Sequence, residues 1–189
     1  MSRTGFPPAI GTLALALLTS FPAAARAQDP MPRSQRATSA VTAGSAQSRI
    51  RGVDRKARRL IEQAVADSPT LARLAAALEN SDLIVGIQLC PLPKTLLGDT
   101  RIVMATADVR YVRIRIRIPD ATFALISVLG HELQHATELA AAPHVRDPDA
   151  RGRLYRQIGY EGRSGGFFET DAAREVGRQV AVELGRSPR

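Results

Sequence analysis

The spacing of apolar residues changes twice along the chain. Val53, Ala57, Leu60, Ile61, Ala64 and Val65 form one stripe, the i, i+3, i+4 pattern of an amphipathic helix. Ser68 then offers an N-cap oxygen, and Pro69 suits a first turn because it has no N–H to satisfy. Leu71, Leu74, Ala75 and Leu78 mark a second helix. The pair is expected to pack as a prop for the remainder.

From Leu83 the period becomes two. "DLIVGIQLC" and "TRIVMATA" read as compact strands, and "VRYVRIRIRIP" is the clearest of the three. There Val112, Ile114, Ile116 and Ile118 alternate with Arg113, Arg115 and Arg117, so one face is expected to be buried and the other to be solvated arginine. Pro119 ends the run and Asp120 can cap the next helix. Residues 121–130, "ATFALISVLG", carry no charge, which predicts a helix buried on nearly every side. "FFETDAAREVGRQVAVEL" reads as a last helix, with Glu169, Ala172, Ala173, Val176 and Val180 on its inward stripe. Asp171, Arg174, Glu175 and Arg178 fall outside that stripe. The expected class is α+β, with a small, mainly antiparallel three-stranded sheet.

Before Ile50 the pattern is different. Arg3, the apolar run "AIGTLALALL" and the small residues of "AAARA" predict a secretory signal over residues 1–27, cleaved after Ala27. The run is about ten residues, half of what a membrane span needs. Residues 28–49, rich in Ser, Thr, Ala, Gln and Pro, are expected to form a flexible linker. Residues 50–189 are expected to form a single domain. The predicted location is secreted or periplasmic, with no stable span after cleavage.

Composition narrows the partners. Cys90 is the one cysteine, so no internal disulfide can form, and export without disulfides fits a bacterial periplasm or exterior. Cys90 itself is expected to be a small buried hydrophobe. The formal charge of +8 falls to +6 once Arg3 and Arg26 leave. The excess is scattered arginine, which reads as a solvated surface. A nucleic-acid face would interleave stacking aromatics with its cations, but aromatics are 4% of the chain and Tyr111 alone lies near the arginine strand. Nucleic acid is therefore excluded as a partner.

The chemistry lies in "HELQH", residues 131–135, where the apolar helix continues. His131 and His135 stand one turn apart on one face, a spacing that lets two imidazoles bind one zinc ion. Glu132 projects roughly 100° from His131 and about 60° from His135 around the axis, beside the metal and free to act as a general base. The chain has three histidines. His144, the third, follows Pro143 and is expected in a loop. The position six residues after His135 is Ala141, which excludes a third histidine there. Glu169 is the expected third ligand, since a carboxylate on a buried stripe needs a partner.

His-Glu-x-x-His followed by a glutamate in "ETDAA" resembles the gluzincin metallopeptidases, in particular their small minigluzincin form, over about residues 83–184. The resemblance implies a zincin-like fold and peptide-bond hydrolysis. It assigns zinc to His131, His135 and Glu169, and the base to Glu132. It also implies an edge strand that pairs with an extended peptide, for which residues 110–118 are the candidate; their arginines point to acidic substrates. Many of these enzymes carry an aspartate one turn after the third ligand that orients a histidine, but here Ala173 stands at that position. Glu138 could substitute and is read instead as a surface glutamate. For the oxyanion, Tyr155, Tyr160, His144 and Arg163 come from the right connecting segment. Tyr160 ranks first because it precedes the glycine-rich "EGRSGG". A di-iron carboxylate site would need a second Glu-x-x-His pair, and no histidine remains for one. The rival is an exported binding protein of zincin shape with a basic surface and no turnover.

Overall fold

The computed structural model describes residues 48–118, 122–162 and 167–185. The signal segment, residues 28–47 of the linker, Pro119, Asp120 and Arg163 lie outside the described residues, while Ser48 and Arg49, also assigned to the linker, bond to Glu79 of α2. Short strand β1 (Ile50–Gly52) leads to helices α1 (Arg55–Asp67) and α2 (Pro69–Glu79). Strands β2 (Leu83–Cys90), β3 (Gly98–Ala105) and β4 (Arg110–Arg117) follow, then the long helix α3 (Thr122–Ala140). Helix α4 (Pro148–Ile158), strands β5 (Tyr160–Glu161) and β6 (Phe168–Glu169), and helix α5 (Asp171–Glu183) complete the order.

The α+β class is as expected, but the sheet is not mainly antiparallel and has four strands. Its order is β1-β2-β4-β3. β1 runs parallel to β2 and β2 parallel to β4, while β3 and β4 form an antiparallel pair. Alternation of apolar residues tells which face of a strand is buried. It carries nothing about which neighbour the strand pairs with, and here β4 returns from its turn to lie between β2 and β3. The arginine strand is therefore interior. β1 and β3 are the edges; the register of β3 shifts between Ile102 and Met104, leaving Val103 and Met104 exposed.

The faces themselves follow the pattern except at Ile118, which lies past the end of β4 and is exposed. Val112, Ile114 and Ile116 are buried with Leu83, Val85 and Ile87 of β2. Helix α3 joins this cluster through Ile126, Leu129, Leu133, Ala136 and Leu139, at helical spacing. Asp54 caps α1 and Ser68 caps α2, with Pro69 in its first turn. Val53 and Val65, assigned to the first helical stripe, are exposed. The outer arginines are not uniformly solvated. Arg115 pairs with Asp99 directly across on β3, and Arg101 binds the same carboxylate. No helix of the described residues is long and apolar enough to cross a membrane.

One arginine of β4 faces inward. Arg110 is fully buried and forks onto Asp82 through Nε at 2.7 Å and Nη2 at 2.6 Å. Its Nη1 donates to the carbonyls of Leu139, Ala142 and Val145 at 2.9, 3.0 and 2.9 Å. Two of these close the C-terminal turn of α3, where carbonyls lack helical partners and the dipole favours a cation. Arg110→Met would strip Asp82 of its guanidinium and remove a donor from three carbonyls, of which Leu139 and Ala142 keep backbone bonds from Ala142 N and Val145 N. It should destabilise the fold by about 3–5 kcal/mol, measured by urea unfolding.

At the other end, α5 is tied to the start of α2. Glu183 accepts from Ser68 Oγ, from Thr70 Oγ1 at 2.6 Å, and from Thr70 N at 3.2 Å. Burial works against the charge, but these bonds and that of Gln179 outweigh it and lower the Glu183 pKa from 4.5 to about 2. A depressed carboxylate stabilises the fold above its unfolded pKa and loses that contribution as pH falls through the folded one. The stability difference between wild type and Glu183→Gln should be greatest near neutral pH and shrink to nothing between about pH 4.5 and pH 2. Thermal unfolding across that range measures it.

Candidate metal centre

His131 and His135 lie on the last turns of α3, their rings 4.9 Å apart and nearly perpendicular. Glu169 comes to them from outside any helix. It ends β6, and Thr170 behind it is the N-cap of α5, its hydroxyl accepting from Ala173 N. The helix therefore begins later than the apolar stripe predicts. The Thr170 cap before Asp171 is the sequence signal for that later start. Ala172 is likewise exposed, whereas Ala173 is buried. Gly159 makes the placement possible: a Cβ there would meet the Glu169 carbonyl oxygen at 2.2 Å, so β5 and β6 could not draw together.

Glu169 Oε1 lies 3.4 Å from His131 Nε2 and 3.8 Å from His135 Nε2. One ligand atom from each of the three residues fits within a 4.8 Å span. Tetrahedral zinc with bonds of about 2.0–2.1 Å holds its donor atoms about 3.3–3.4 Å apart. The two measured separations are close to that spacing without any movement of the backbone. Burial, then the neighbouring His135, lowers the His131 pKa to about 4, so its ring is neutral near pH 7 and able to ligate.

Glu138 is not a surface glutamate. Its side chain is 9% exposed and Oε2 lies 2.9 Å from His135 Nδ1, while Oε1 accepts from Thr170 Oγ1 at 2.7 Å. With Nδ1–H donating to this carboxylate, His135 keeps its Nε2 lone pair for a metal. The orienting carboxylate is thus one turn further along the same helix, and the alanine at position 173 costs nothing. Burial opposes charge on His135, yet the Glu138 bond and the surrounding carboxylates raise its pKa.

Glu132 is 4% exposed. Thr100 Oγ1 approaches its Oε2 at 2.7 Å, and at Gly98 a Cβ would meet Oε1 at 2.5 Å. The start of β3 therefore closes directly over this carboxyl. Burial is the largest influence on it, and its pKa rises to about 7. His131, Glu132, His135 and Glu169 line one cavity of about 490 Å³, floored by α3 and walled by β3, α4 and Phe167–Phe168.

The candidates for the oxyanion separate. Tyr155 is buried, lines this cavity, and donates to the His135 carbonyl at 3.1 Å. Its ring meets His135 edge-on at 5.4 Å and stacks on Phe168 at 5.6 Å. Tyr160 is 44% exposed, does not line the cavity, and accepts from Arg174 Nη1 at 3.1 Å. His144 is exposed and also outside it. Sequence reasoning passed over Thr100, Gly98 and Arg151. The i, i+4 spacing of Arg151 and Tyr155 was the one signal that could have found Arg151.

The chain matches no protein-family model, no curated protein and no solved structure. Its own geometry carries the functional reading. Glu138→Ala removes the orienting acceptor from His135 and should weaken zinc binding about 10- to 100-fold. Competition with a chromophoric chelator measures this.

Proposed function

We propose that the protein is an exported zinc-dependent peptidase of gluzincin type. His131, His135 and Glu169 would hold the metal, and Glu132 serves as general base. The observation that carries the reading is the placing of Glu132: a buried carboxyl on the same helix as two imidazoles whose Nε2 atoms lie 3.4 and 3.8 Å from Glu169 Oε1, with burial raising the Glu132 pKa to about 7. A base works best when its pKa lies near the working pH. A site used for binding alone has no need of such a group. Zinc, when bound, supplies Lewis acidity and a water acidic enough to attack at neutral pH.

The chain's own residues account for the rest. Thr100 holds one oxygen of Glu132, and Gly98 keeps the space over the other. Glu132 takes a proton from the attacking water and delivers it to the leaving amine. Glu138 and Thr170 keep His135 in one tautomer and one orientation. β3 ends the sheet beside the cavity, and an extended peptide can pair along the part of this edge that Arg151 does not occupy. Within the cavity, Phe167, Phe168 and Tyr155 supply apolar wall and exclude water from one side.

Glu132→Gln keeps the shape and removes the base. It should bind one equivalent of zinc as wild type does and lose about 10²- to 10⁴-fold in peptide hydrolysis; His135→Ala should lose both. The measurements are metal content by atomic emission and turnover of a mixed peptide library. Equal turnover by wild type and Glu132→Gln, or none by either, would leave a zinc-binding protein without catalysis.

A further inference from the structure

The cavity contains a second charged element that the hydrolytic residues do not use. Arg151, on α4, lines the wall beside Tyr155 and Phe168. Its guanidinium lies 5.8 Å from the Tyr155 ring and 5.5 Å from the Phe168 ring. Among the described residues it makes one hydrogen bond, from Nη1 to the Thr100 carbonyl at 3.2 Å. A guanidinium has five N–H donors, so most of its capacity is left for a ligand.

The acidic groups nearby are already engaged. Asp99 is buried, and both of its oxygens are held by Arg101 and Arg115. Glu132 and Glu169 belong to the metal end of the cavity. Among the described residues, no carboxylate lies within ion-pair distance of Arg151, whereas Arg110, Arg115 and Arg101 each have one. Burial and the charge of Arg101 both work against its own positive charge. A partly desolvated arginine beside two aromatic rings keeps a planar fork whose geometry suits bidentate contact with a carboxylate.

Its bond to β3 adds to this. Arg115 is the partner of Asp99 across the ladder, and backbone groups of an antiparallel edge strand point alternately inward and outward. The Thr100 carbonyl points outward and is occupied by Arg151. A peptide pairing with β3 meets the guanidinium there instead of a free acceptor.

We propose that Arg151 binds a carboxylate carried by the substrate, and so selects peptides by an acidic side chain or a free carboxy terminus. This rests on the peptidase reading and assigns its substrate class. Both sources offer the same planar anion, and the test separates them. Zinc-loaded full-length Glu132→Gln, expected to turn over about 10²- to 10⁴-fold more slowly, is titrated calorimetrically with acetylated hexa-alanine peptides. Each peptide carries a single Glu or Gln at successive positions and ends in a free acid or an amide.

At least one exchange of carboxylate for amide should weaken binding about tenfold or more. An effect of Glu against Gln identifies a side-chain carboxylate; an effect of acid against amide identifies a chain terminus. Arg151→Ala should bring the paired ligands within about twofold, and Arg151→Lys, which keeps the charge but not the fork, should fall between. Equal binding of acid and amide forms in the Arg151 protein, absence of binding by both, or discrimination that survives Arg151→Ala overturns the proposal. Wild-type turnover of the same peptides separates the two readings. Cleavage without carboxylate preference sinks the Arg151 assignment alone, and preference without cleavage sinks the peptidase alone.

Discussion

A short hydrogen-bond relay holds the site together. The amide of Ala173 donates to Thr170 Oγ1, that hydroxyl donates to Glu138, and Glu138 accepts from His135 Nδ1. The same threonine that starts α5 thus fixes the tautomer of a histidine on α3. Because Glu169 immediately precedes it, the relay also decides where the third carboxylate stands. If Thr170 moves, the cap, the histidine and the proposed third ligand all move with it.

Such a relay is needed because α3 carries polar groups into an apolar core. Burying a carboxyl or imidazole without partners costs several kcal/mol (roughly 2–7 for a neutral polar group). Other elements satisfy these groups: Glu132 from β3, His135 through Glu138 from the α5 cap, and the C-terminal carbonyls of α3 from Arg110 on β4, while His131 faces Glu169 of β6 at 3.4 Å. No buried side-chain nitrogen or oxygen among the described residues lacks a partner. The helix is held in rotation and in height by polar contacts, while Leu129, Leu133 and Leu139 supply the non-directional burial.

Reading the chain by pattern succeeded where a local period reports a local fact. The buried faces of β4 and α3, the Ser68 cap, and the placing of His131 and His135 on one helix face were all legible. The failures share one cause. Sheet order, the interior place of β4, the strand position of Glu169 and the burial of Glu138 depend on contacts between residues far apart in the chain. Glu138 shows this best. On its own helix it looks solvent-facing, and only the approach of Thr170, 32 residues away, encloses it. Arg110 shares the parity of Val112 and Ile114, the buried face, but only the end of α3 supplies the carbonyls that satisfy it there.

By itself, then, the sequence determined which residues could ligate, which helix would bear them, and that one glutamate would stand beside them, because helical geometry sets angles between residues a few positions apart. Tertiary structure alone decided that Glu169 reaches both imidazoles, that Gly98 and Thr100 close over Glu132, and that Arg151 faces the same cavity. Those distances arise from the packing of β3, α4 and β6 around α3, and no periodicity within a single segment encodes how separate segments meet.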